Sequence, residues 1–84
     1  MRAFSGNSGI RIIFSTDNPG NTTIGIYDLS GRLLQQLPVK SQPGKNTVFW
    51  DGNDHTGKVC AIRCFIIVLQ KDKVKIARKV VLFR

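Results

Sequence analysis

Between residues 24 and 37 the chain sets two β-prone apolar runs, Ile24-Gly-Ile-Tyr27 and Arg32-Leu-Leu34, on either side of Asp28-Leu-Ser-Gly31. Asp and Ser side chains bond to their own backbone and Gly accepts left-handed geometry, so this tetrapeptide reverses the chain. The unit is echoed over 48–57, where a run ending in Trp50 gives way to the polar loop Asp51-Gly-Asn-Asp-His-Thr-Gly57. Apolar runs punctuated in this way make strands. Neither unit pairs a nucleophile with a base, so both describe scaffold before chemistry.

The same pattern continues along the chain. Ile10, Ile12 and Phe14 alternate with polar or smaller neighbours, as in a half-buried strand. Further strands are expected near 22–27, 32–37 and 46–50, the second stopping before Pro38, which lacks an amide donor. Asp17-Asn-Pro-Gly20 and Ser41-Gln-Pro-Gly44 are turn signals. The longest apolar run, 59–69, predicts a single strand buried on both faces. Lys71-Asp72-Lys73 then turns into a last strand over 74–83, with Val74 and Ile76 in phase, Val80 and Leu82 in phase, and Arg78 between. With no helical caps and about six β-prone segments, the expectation is an all-β fold: a monomeric, immunoglobulin-like antiparallel β-sandwich of six or seven strands. Its predicted core holds Trp50, Ile24, Ile26, Val48, Ile66 and Val68.

Eighty-four residues make one domain, 1–84, with no internal repeat or linker. Residues 1–9 leave two readings, a disordered lead or a start that is not native. A chain of this size buries about 60–65% of its unfolded surface, enough for a two-layer sandwich and too little for a deep substrate cavity. No apolar run approaches the ~20 residues of a membrane-spanning helix, and Met1-Arg-Ala-Phe-Ser-Gly lacks the apolar stretch of a secretory signal. Export therefore falls to a signal elsewhere in a larger parent protein, or is in doubt if the chain is a whole gene product. Cys60 and Cys64, read as lying on one strand, would have Cα atoms ~13 Å apart against a disulfide limit near ~7 Å. Both are expected to stay reduced, as small buried apolar residues.

The net charge of +8 is uneven: residues 58–84 carry eight cations against Asp72 alone, and the first 57 carry five against four. Lys71, Lys73, Lys75, Arg78, Lys79 and Arg84 form a basic C-terminal hairpin and are the candidate partner-contact surface. Such a patch attracts nucleic acid or anionic membrane. Solvated faces and edge-strand lysines that block unwanted pairing explain it more simply, because aromatic residues do not interleave with these charges.

The remaining candidates are weaker. The Asp51-to-Gly57 loop offers closely spaced oxygens for calcium, but lacks the register of a calcium loop, and the chain has no Glu. Asx side chains capping their own turn are the simpler account. His55, the one imidazole, has no nucleophile at a suggestive spacing. Trp50 suits a sugar or partner anchor, yet its phase with Val48 favours the core. Asp28 and Arg32 flank the first turn and are placed to brace it. No catalytic residue, cofactor or metal is expected.

These turns also carry a resemblance. Tyr27-Asp-Leu-Ser-Gly-Arg-Leu33, Gly44, Trp50-Asp-Gly52, Gly57, Leu69-Gln70 and Arg78-Lys-Val-Val-Leu-Phe-Arg84 together resemble the FlgD-like immunoglobulin-fold module. That module is similar to the C-terminal sorting domains of the bacterial type IX secretion system. The likeness runs from roughly Arg11 onward. One departure is Ile62-Arg63-Cys64-Phe65, where the family has a small residue and Gly, then an aliphatic and Tyr. Arg63 tolerates glycine-type geometry poorly, so the strand is expected to start earlier and hold Arg63 in ordinary β conformation. The family's N-terminal Asn-Pro-Phe strand is also not recognisable before Ile10.

The resemblance implies a non-catalytic, C-terminal module of an exported protein, secreted or at the cell surface. Its partners would be the outer-membrane secretion machinery or the parent's other domains, with no small-molecule substrate. The alternative is an immunoglobulin-like spacer of an extracellular enzyme or adhesin, without a sorting role. A small basic nucleic-acid-binding β domain ranks last.

Overall fold

The computed structural model describes residues 1–5 and 9–81. Among them, seven strands follow in order: β1 (Arg2–Ser5), β2 (Ile10–Thr16), β3 (Gly20–Tyr27), β4 (Leu33–Ser41), β5 (Gly44–Trp50), β6 (Cys64–Lys71) and β7 (Val74–Val81). They form two antiparallel sheets, β1-β2-β5 and β4-β3-β6-β7. The chain crosses between the sheets three times, after β2, β4 and β5, and the two inner faces enclose an immunoglobulin-like sandwich core.

Ile10, Ile12, Phe14 and Trp50 line the core from the smaller sheet, and Ile24, Ile26, Phe65, Ile67 and Leu69 from the larger. Val48 is half-buried and packs against this cluster. Ile66 and Val68, expected inside, instead lie half-buried on the outer face of β6. Every position from Phe65 to Leu69 is apolar, so alternation carries no phase there; pairing with β3 selects it, Ile67 opposite Ile26 and Leu69 opposite Ile24.

Residues 59–69 are not one strand either. Pairing with the sheet begins at Cys64, and the residues before it are tied to the loop after Trp50. Val59 bridges Asn53, and the Cys60 amide donates to the Gly52 carbonyl at 2.9 Å. Val59 and Ile62 stay exposed while the Cys60 side chain enters the core. Both cysteines are thiols, but the shared-strand premise does not hold. Arg63 sits at an exposed bend just before β6.

Two more expectations change. Pro38 does not stop β4: it pairs opposite Thr23 on an edge strand, where a missing donor can face solvent. Residues 2–5, left outside the strands by the sequence, pair with β2 as β1. The expected in-phase residue Leu82 lies outside the described residues.

Candidate functional site

Two turns at one end of the sandwich share a single architecture. Asp28 Oδ1 accepts from the Ser30 amide at 3.0 Å, the Ser30 hydroxyl at 2.6 Å and the Arg32 amide at 2.9 Å. Asp54 Oδ1 accepts from the Thr56 amide at 2.9 Å, the Thr56 hydroxyl at 2.6 Å and the Lys58 amide at 3.1 Å. In each, the Asp carbonyl takes the amide of a glycine, Gly31 at φ 93° and Gly57 at φ 88°. In each, the Asp amide closes the loop onto the carbonyl of Arg32 or Lys58. Both turns read Asp-x-Ser/Thr-Gly-Arg/Lys, at Asp28 and again at Asp54, an echo of five residues that is too short to be a repeated structural unit.

The second turn docks beside the first. A bulge in the β3–β4 pairing after Ile26 leaves Leu34 unpaired; its side chain is buried and its carbonyl accepts from the His55 amide at 2.9 Å. Hydrogen bonds from Ser30 and from the Arg32 amide hold the Asp28 carboxyl below the usual aspartate range. The Thr56 hydroxyl does the same for Asp54. The Arg32 guanidinium adds a contact to Asp28 Oδ2 at 3.5 Å, the brace expected from their spacing. Asp51 caps its own turn through the Asn53 amide at 2.9 Å. The loop oxygens thus serve Asx turns, as the simpler account had it.

The basic C-terminal surface is divided. Lys75 and Lys79 lie on the outer face of β7, opposite Gln70 and Ile66. Arg78 falls on the inner-facing side, opposite Ile67 and between Ile76 and Val80, exposed at the sheet edge with Nη1 donating to the Ala77 carbonyl at 2.9 Å. An inward-phased charge on an edge strand discourages pairing with another chain. Lys73 occupies the hairpin turn beside Asp72, which has φ 53°. Lys71 is committed elsewhere: its ammonium donates to the Thr16 hydroxyl at 2.6 Å and to the Asn18 carbonyl, tying β6 to the β2–β3 loop. Arg84 lies outside the described residues. Among the described residues, Lys75 and Lys79 therefore share the outer face of β7, while Lys71 and Arg78 do not lie on it.

An arrangement that the local sequence hides stands on the opposite sheet. Register sets Phe4, Arg11 and Phe49 side by side on its outer face, from strands far apart in the chain.

Among solved structures the chain is similar to FlgD from Xanthomonas campestris, a protein studied for the hook capping essential for flagellar assembly. The TM-score is 0.70 at 22% identity, over 94% of this chain and 59% of that one. The fold is FlgD-like. At this identity the likeness concerns fold alone, and this chain spans little more than half of the FlgD chain. No protein-family model and no curated protein matches the sequence.

Proposed function

We propose that this chain is a non-catalytic, immunoglobulin-like module of a larger exported bacterial protein, and that it serves as a sorting domain for the type IX secretion machinery. The observation that carries this reading is the placement of the resemblance residues on a FlgD-like frame. Asp28, Gly31 and Gly57 take part in the paired turns of one pole, and Trp50 anchors the core beside them. The folded surface itself is then what the outer-membrane machinery reads, with Lys73, Lys75 and Lys79 as exposed cationic contacts. The module acts as a monomer and is delivered to the cell surface with its parent.

A spacer role is the second reading, and the division of the basic residues between two faces of β7 favours it. A part in flagellar assembly, the role named for FlgD, rests on fold likeness alone. Fusion of this domain to a periplasmic reporter, in a host with the type IX system, separates the first two. Surface delivery of the reporter supports sorting. Retention in the periplasm overturns it in favour of the spacer.

A further inference from the structure

The outer face of the β1-β2-β5 sheet presents Phe4, Arg11 and Phe49 as one row across three strands. Phe4 is 43% and Phe49 56% exposed, and the Arg11 guanidinium carbon lies 5.6 Å from the Phe4 ring centroid. The Phe49 ring is seated on Gly9, where a Cβ would fall 2.8 Å from its Cζ. An exposed ring held in one position can stack on a planar ligand with little further ordering. The next row on this face is Arg2, Ile13 and Thr47, followed by Ser15 opposite Lys45. Arg2, Phe4, Ile13, Ser15 and Lys45 border a shallow groove of about 420 Å³.

Charge on this face has one sign. The five acidic residues, Asp17, Asp28, Asp51, Asp54 and Asp72, all lie in connecting segments and none on a strand. Among the described residues, Arg2, Arg11 and Lys45 therefore meet no carboxylate across the sheet surface.

We propose that this face binds single-stranded nucleic acid, with bases stacking on Phe4, Arg11 and Phe49 and phosphates meeting Arg2 and Lys45. The row spans two strand spacings, about 9–10 Å, which offers successive bases separate stacking surfaces. Bases stack on phenyl and guanidinium planes whatever their sequence, and a cationic groove alongside tracks the backbone. A duplex conceals its base faces. An acidic peptide would satisfy the cations but leave the exposed Phe49 ring without a planar partner. The inference stands independently of the sorting role.

Fluorescence anisotropy of a labelled short oligothymidylate with the 84-residue chain tests it. Binding is expected at low salt, weakening with a log–log slope of about −1.4, as the two phosphate contacts through Arg2 and Lys45 require. Phe49→Ala and Phe4→Ala should each weaken binding at least about tenfold with unchanged circular dichroism. Phe49→Leu, which keeps an apolar side chain but removes the π face, should do the same and covers the case of a misfolded alanine variant. Lys75→Gln with Lys79→Gln, on the other sheet, should change affinity less than about twofold. Absence of binding overturns the proposal. So does binding insensitive to the Phe variants, or equal affinity for polyglutamate or heparin, which would mark a charge-only surface.

Discussion

Trp50 and Phe65 meet edge to face across the sandwich, ring centroids 4.8 Å apart and ring planes at 83°. One comes from each sheet, so the pair joins the two layers at the buried centre. The indole Nε1 donates to the Asn53 carbonyl at 2.9 Å, which also fixes the loop that follows Trp50. A single side chain thus links core packing to the geometry of the turn pole.

Trp50→Ala should lower stability by about 3–5 kcal/mol, because it leaves a large cavity and removes the loop's anchor. Much of so small a domain would unfold. In urea titrations, a double-mutant cycle with Phe65→Leu should give a coupling of about 0.5–1.5 kcal/mol for the ring contact. A loss below about 1 kcal/mol for Trp50→Ala would contradict its burial.

The phase of β6 can be read from a pair of neighbours. Ile67 is fully buried and Ile66 half-buried on the outer face. Ile67→Ala should cost about 2–5 kcal/mol and Ile66→Ala distinctly less. The reverse order in chemical denaturation would place the other face of β6 inside.

That pair also shows what the sequence could and could not reveal. Spacing made Ile24 and Ile26 legible as core and Ile10, Ile12 and Phe14 legible as one face of a half-buried strand, and turn residues marked most of the reversals. Five consecutive apolar residues over 65–69 erased the phase, which only cross-strand pairing supplies. The segment before Cys64 read as strand because Val59, Ala61 and Ile62 are apolar, yet its backbone partners lie in the loop after Trp50. Phe49 was deducible as outward-facing once Val48 and Trp50 were assigned inward. Its neighbours Arg11 and Phe4 were not, since register alone brings the three strands together.

Acid should destabilise the turn pole. Asp28 and Asp54 titrate lower in the folded chain than in the unfolded one, because Ser30 and Thr56 donate to their ionised carboxylates. Their contribution is fully present above the unfolded-chain value of 3.8 and is lost as pH falls through the depressed folded values. Melting temperature should therefore drop as pH falls below about 4. Asp28→Asn with Asp54→Asn should flatten this acid limb in thermal scans, since the amides do not titrate. An unchanged slope would mean that the two turns contribute nothing to acid sensitivity.

Arg63 tests the departure from the family pattern. The module that the sequence resembles is expected to have Gly at this point, and a strained Arg there would be relieved by Arg63→Gly. Among the described residues, however, Asp72 is the one non-glycine residue with positive φ. Arg63 lies exposed at the bend before β6, in a backbone region open to ordinary side chains. Glycine would relieve no strain and would add conformational freedom to the unfolded chain, at a cost of about 0.4–1 kcal/mol. For a domain of this size that corresponds to a fall in melting temperature of roughly 2–8 °C, measurable by calorimetry. A rise in melting temperature would show instead that this chain keeps the family's glycine geometry and holds Arg63 under strain.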